Sequence, residues 1–214
     1  YPLRRQRQMC IRDSSSSFAK VEGEYIVLGA AVSLTGKYSS NGVHTQNGYN
    51  LAVERINKMG GVEVGGKKYK FEIIYYDDES NSGRAAQLAE RLIKQDGVKY
   101  MLGPYSSGLT KAMAPVTEKY KIPMVEANGA SRSLFTKGYK YLFAVLAPAN
   151  LYLDVAIDLA VEKNGGKPVK IAQAFEQDAF SQDVRLGILD AAKRTGSEII
   201  IDDKLPKELN DMAA

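Results

Sequence analysis

Two neighbouring serines, Ser106 and Ser107, stand in the stretch YMLGPYSSGLTKAMAPV, between a short apolar run and a helix-like pattern. A serine at such a junction can cap the helix through its side-chain oxygen. It can also bind. The first N–H groups of a helix lack intrahelical partners and carry the positive end of its dipole, so an anion is favoured there and a hydroxyl adds a donor. One serine of the pair is expected to cap, and the pair together to hold a ligand. Two further stretches share this character, and with the serine loop they cover residues 33–42, 103–107 and 126–133. They are rich in small, hydroxyl and amide residues and are charged only at Lys37, Glu126 and Arg132. Such a composition lets backbone approach a small polar ligand closely.

Other chemistry has less material. GVEVGGK, Gly61 to Lys67, matches the opening of a phosphate loop, but Lys68 stands where a magnesium-binding hydroxyl is needed and the segment follows a helix. A hairpin turn is expected instead. No G-x-G-x-x-G follows the first apolar run, so a dinucleotide fingerprint is absent. Asp77 and Asp78 end a strand and could hold magnesium, although such a pair more often caps a turn. His44 is the only histidine and no G-x-S-x-G surrounds the serines. No catalytic residue, metal site or cofactor is expected.

The elements that must carry the three loops alternate. YIVLGAAV is a strand-sized apolar run, followed by a Gly/Ser loop and a helix from Val43 to Met59 that Gly60-Gly61 stops. A hairpin turned at Gly65-Gly66 runs into a strand over Phe71–Tyr76. Asn81 or Ser82 caps a helix that turns Ala85, Leu88, Ala89, Leu92 and Ile93 inward. VKYMLG, IPMVEA and YKYLFAVL read as strands, with a helix kinked near Pro115 between the first two. After Ala147-Pro148 the pattern restarts with a helix over Leu151–Glu162, the strand VKIAQAF, a helix over Ser181–Arg194 and the strand SEIIIDD. This alternation predicts an α/β fold of two doubly wound parallel-sheet lobes, 25–145 and 146–214, the second incomplete. An incomplete lobe would expose apolar surface and a sheet edge, so poor solubility is expected.

The whole formal charge of +4 lies in residues 1–20, where five basic side chains face only Asp13. The remainder is neutral and offers no field to nucleic acid or anionic lipid. No apolar run nears the roughly 20 residues of a membrane helix. Cys10 is the single cysteine, which rules out an intrachain disulfide. Residues 1–24 read as a disordered or non-native leader, with any export signal expected upstream.

LGAAVSLTGKYSSNG, AVERINKMGGV, YYDDESNSGRAAQLAERLI, MLGPYSSGLTKAMAPVTEKYKIPMVEANGAS and FEQDAFSQDV together resemble the branched-chain amino-acid-binding proteins. These are periplasmic solute-binding subunits of ABC importers with the type I periplasmic binding fold. The resemblance implies a monomeric periplasmic or extracellular protein that captures a small amino acid and delivers it to an ABC permease. It implies that Ser107, with Ser106 and Tyr105 beside it, meets the ligand carboxylate. The loop Asn128, Gly129, Ala130 and Ser131 would supply backbone groups to carboxylate and ammonium. Asn41 occupies the position of a first-loop aromatic, for which Tyr38 could substitute. Phe180 would close over the ligand from the second lobe, with a hinge near Val145–Pro148. A sensor or receptor ectodomain of the same fold is the alternative, with a magnesium-dependent domain using Asp77 and Asp78 behind it.

Overall fold

The computed structural model describes residues 21–22 and 24–206. Cys10, most of the expected leader and the helical turn expected at NDMAA lie outside the described residues. At the end of the expected leader, Val21–Glu22 form a short strand, β1, antiparallel to the start of β2 (Tyr25–Val32).

From β2 the chain builds a sheet by regular crossovers. Helix α1 (Ser39–Lys58) leads to the hairpin β3 (Val62–Val64) and β4 (Lys67–Asp77). Gly65 and Gly66 both have positive φ, 59° and 79°, as a two-residue hairpin turn of matching twist requires. Then follow α2 (Ser82–Lys94), β5 (Met101–Leu102), α3 (Ser107–Tyr120), β6 (Met124–Glu126) and β7 (Leu142–Ala144). The strand order is β3-β4-β2-β5-β6-β7, and β4, β2, β5, β6 and β7 are mutually parallel. The chain moves to one side of β2 for β4 and to the other for β5. The crevice beyond the carboxyl ends of β2 and β5 is therefore the switch point at which such sheets bind ligands.

Helix α2 presents Ala85, Leu88, Ala89, Leu92 and Ile93 to the core, as its spacing predicts, and the Asn81 side chain caps it by accepting from the Arg84 N–H at 2.9 Å. Helix α3 runs unbroken through Pro115. Helix α1 begins four residues earlier than expected, at Ser39. Ser39, Ser40, Asn41 and Gly42 have turn composition, but Ser80 Oγ accepts from the Tyr38 N–H at 2.9 Å and fixes where the chain enters the helix.

A second sheet is made by the parallel pair β8 (Lys170–Glu176) and β9 (Glu198–Leu205). Helices α4 (Asp154–Lys163) and α5 (Ala179–Thr195) accompany it, with a 3-10 turn at Ala149–Leu151 ahead of α4. Its core is small: Ile157, Ile188 and Ala191 with Ile171, Val184 and Ile199 packed on them. Val155, Leu159, Ile200 and Ile201 remain exposed. Gly187 lets α5 lie directly on the connecting segment, since a Cβ there would stand 1.8 Å from the Asn150 carbonyl oxygen.

Candidate functional site: a cleft between two lobes

The loops after β2, β4, β5 and β6 open on one side of the first sheet and face the start of α5. Between them lies a cleft of about 1120 Å³. Lys37, Tyr38, Tyr105, Ser106, Ser107, Lys111 and Asn128 line it from the first lobe. Glu176, Asp178, Phe180 and Asp183 line it from the second.

Ser106 is the N-cap of α3, and its hydroxyl accepts from the Leu109 N–H at 3.3 Å. Its backbone, φ 81° and ψ 146°, is in a region that non-glycine residues rarely enter. The strain is held by the cap bond and by Thr110, whose N–H and hydroxyl both reach the Ser106 carbonyl oxygen, at 3.1 and 2.9 Å. Ser106→Gly is expected to relieve the strain and forfeit little capping, so it should raise stability by about 1 kcal/mol in denaturant titration while weakening ligand capture. Ser107 is buried at 1 % exposure, and its Oγ accepts from the Ser131 N–H at 3.0 Å. One serine thus caps the helix and the other ties the β5 loop to the β6 loop. Both border the cleft.

The β6 loop is organised by Glu126. This carboxylate is fully buried and accepts from the N–H groups of Asn128 and Gly129, at 2.5 and 2.7 Å, and from the Thr110 hydroxyl at 2.6 Å. Burial pushes its pKa up to about 7, with Thr110 and the loop N–H groups pulling the other way. A carboxyl raised in the folded state contributes stability that is fully present below the ordinary glutamate range and is lost as pH rises through about 7. Thermal unfolding is therefore expected to show a melting temperature that falls between pH 5 and pH 8, and falls less in Glu126→Gln.

Of the expected site residues, Ser106, Ser107, Tyr105, Asn128 and Phe180 come together around the cleft. Gly129, Ala130 and Ser131 do not line it; all three are buried behind it. Gly129 lies so close to α3 that a Cβ would stand 2.5 Å from Thr110 Oγ1. Ser131 faces the second lobe instead, donating to Asp183 Oδ2 at 2.9 Å, where the Ser133 N–H also reaches at 3.3 Å. Asn41 is displaced from the expectation as well. It is exposed in the first turn of α1 and is not among the cleft residues, because the helix begins before it; Tyr38 lines the cleft in its place.

Asp77 and Asp78 are bound by donors. Asp77 accepts from the N–H groups of Leu34, Thr35 and Glu79 and from the Thr35 hydroxyl. Burial raises its pKa, but these bonds outweigh it and leave the group below its usual value. Asp78 accepts from the Ser33 hydroxyl at 2.6 Å and the Ser80 N–H at 2.8 Å, and burial holds it above its usual value. Donors fill both oxygens of Asp77 and Oδ1 of Asp78, while Asp78 Oδ2 is buried without a partner, and the pair staples the β4 loop to the β2 loop. Among the described residues no group of three or more metal-ligating side chains is found.

Sequence reasoning missed Glu126 as an organiser, Asp183 as the contact between lobes, and Lys37, whose Nζ lies 3.0 Å from Glu176 Oε1 across the cleft. A carboxylate in a small-residue loop whose one other charge is Arg132 was the available signal for Glu126. The cleft divides by charge. The start of α3, Lys37 and Lys111 lie on one wall, where Glu79 is the one acidic side chain, and Glu176, Asp178 and Asp183 lie on the other. Tyr38 and Tyr105, with ring centroids 5.5 Å apart, and Phe180, packed edge-on to Tyr152, add apolar surface.

The family described as periplasmic binding protein matches residues 25–214. The Leu/Ile/Val-binding protein homolog 8 of Brucella suis is 26% identical over 207 residues, covering 94% of this chain and 50% of that protein. The Leu/Ile/Val-binding protein of Escherichia coli K12 is 24% identical over 194 residues, 91% of this chain and 50% of its own. The chain thus spans about half the length of the curated relatives it matches. Among solved structures, the branched-chain amino acid transporter substrate binding protein LivJ from Streptococcus pneumoniae, in complex with isoleucine, superposes with a TM-score of 0.73 at 24% identity, over 87% of this chain and 51% of that one. A solute binding protein of an ABC transporter from Rhodopseudomonas palustris, in complex with 3,4-dihydroxy benzoic acid, gives 0.71 at 26% identity, over 86% and 48%.

Proposed function

This chain belongs to the periplasmic binding protein family, and we propose that it serves as the solute-capturing subunit of an ABC importer whose ligand is a small amino acid. The observation that carries the reading is the charge division of the cleft. A ligand carboxylate fits the start of α3, where the Ser106–Ser107 pair and free N–H groups offer donors, and its ammonium fits the acidic wall opposite. The ligand side chain packs against Tyr38, Tyr105 and Phe180. The second lobe swings about the segment near Val145–Pro148 to enclose the ligand and exclude water, and the closed form is what a permease would read. No bond is made or broken. This work belongs in the periplasm or outside the cell.

The three rings favour a second ligand class. A planar aromatic carboxylate would keep the carboxylate anchor and stack where an aliphatic side chain packs, and the Rhodopseudomonas palustris relative with its dihydroxybenzoate is consistent with this. Calorimetric titration separates the two. Heat with leucine, isoleucine or valine and none with 3,4-dihydroxybenzoate is the expected result. Heat with the benzoate alone would replace the amino acid by an aromatic acid, and none with either would overturn the carboxylate site.

A further inference from the structure

Thr110 has one hydroxyl hydrogen and two acceptors within reach, the Ser106 carbonyl oxygen at 2.9 Å and Glu126 Oε2 at 2.6 Å. The hydrogen serves one of them at a time, and the charge on Glu126 decides which. An ionised Glu126 can only accept, so Thr110 donates to it and the Ser106 carbonyl keeps the Thr110 N–H alone. A Glu126 that has taken a proton from solvent on Oε2 donates to Thr110 Oγ1, which turns its own hydrogen to Ser106. Oε1 goes on accepting from the Asn128 and Gly129 N–H groups in both forms, so the β6 loop holds while the relay reverses.

The surroundings leave the relay uncompensated. Helix α1 contributes the Tyr49 phenol, which donates to the Gly103 carbonyl at 2.8 Å and is itself raised by burial and by Glu126. From β5 comes Gly103, where a Cβ would stand 2.1 Å from Glu126 Oε2; α3 brings Thr110; β7 pairs with Glu126 through Ala144. Among the described residues no cation forms an ion pair with Glu126.

We propose that Glu126 is a proton-linked positioning residue: through Thr110 its protonation sets the Ser106–Ser107 start of α3 for an anionic ligand group, so that carboxylate capture takes up a proton. This rests on the carboxylate site proposed above. Two effects act in the same direction. A ligand carboxylate at the start of α3 disfavours a second negative charge behind it. The protonated form also completes the bond to the carbonyl of Ser106, whose backbone is strained. Burial already raises the Glu126 pKa to about 7, so the exchange falls in the neutral range. Linkage requires the reciprocal effect, a ligand held more weakly as pH rises.

The test is calorimetric titration of the whole chain with L-leucine between pH 6 and pH 8, in buffers of different ionisation heat. Proton uptake on binding is expected, with affinity about threefold to tenfold weaker at pH 8 than at pH 6. Glu126→Gln should bind with an affinity independent of pH. Thr110→Val, which breaks the relay and keeps the carboxylate, should lessen the pH dependence to the direct charge effect alone, and it serves if the glutamine variant does not fold. A wild-type affinity that is flat in pH, with no proton taken up, overturns the proposal and leaves the amino-acid reading standing. If leucine gives no heat at any pH, that reading fails instead and infrared titration of the free protein decides. A carboxylic-acid band lost as pH passes about 7, and displaced in Thr110→Val, supports the relay. Absence of such a band overturns it.

Discussion

Gly42→Ala is expected to cost about 3 kcal/mol of stability and to spoil the cleft mouth together with the fold. A Cβ at this buried position would stand 1.8 Å from the Ser33 carbonyl oxygen, 2.5 Å from its carbon and 3.0 Å from its Cα. All three are backbone atoms at the end of the central strand β2, so no side chain can rotate away. Either α1 withdraws or the β2 loop does. Withdrawal of the loop strains the Ser33–Asp78 bond of 2.6 Å, and withdrawal of the helix strains the 2.9 Å bond from the Tyr38 N–H to Ser80. Both bonds join the β2 and β4 loops, and Tyr38 lines the cleft. Urea unfolding measures the stability. Gly48→Ala in the same helix is the internal comparison: nothing lies within 4 Å of its added Cβ, so it should stabilise by about 0.5–1 kcal/mol from helix propensity alone. Equal effects at the two glycines would refute the close-approach argument.

The contrast between these glycines marks what the residues disclose by themselves. The inward face of helix α2 was legible because its apolar residues are periodic, and its start was legible to within one residue, Asn81 or Ser82. The three loops at the carboxyl ends of the strands were legible because small polar residues between apolar runs have few other uses. The start of α1 was not, since Ser39, Ser40, Asn41 and Gly42 would suit a turn equally well, and the bond from the Tyr38 N–H to Ser80, 42 residues away, anchors the helix start and cannot be read from the local sequence. The fate of the β6 loop was hidden for a similar reason. Asn128, Gly129, Ala130 and Ser131 have the composition of a binding loop, yet Glu126 pulls the N–H groups of the first two inward and Asp183, 52 residues beyond Ser131, claims its hydroxyl. One carboxylate at the foot of the loop, Glu126, and one distant in sequence, Asp183, decide which face of this small-residue loop meets the ligand, and composition alone does not show that either points inward.

Ser107→Ala tests what the serine pair does, and the expected result is a ligand affinity roughly a hundredfold weaker, about 3 kcal/mol. The side chain works in two directions. Its oxygen accepts from the buried Ser131 N–H, and its hydrogen stays free to be donated toward the cleft it borders. Alanine removes both at once. The Ser131 N–H is left without an acceptor in a position that water does not reach, which costs about 1–3 kcal/mol of stability. The ligand carboxylate loses a hydroxyl donor at a helix start, where a charge-assisted bond is stronger than a neutral one. Ser106→Ala separates the two roles. That serine caps through its Oγ, so its loss should lower stability by about 1 kcal/mol and affinity by less than the Ser107 change. Urea unfolding and calorimetry on the two variants give the comparison. If Ser107→Ala lost stability but kept its affinity, Ser107 would be a loop tie alone, and the carboxylate would have to be held by the N–H groups of α3 without it.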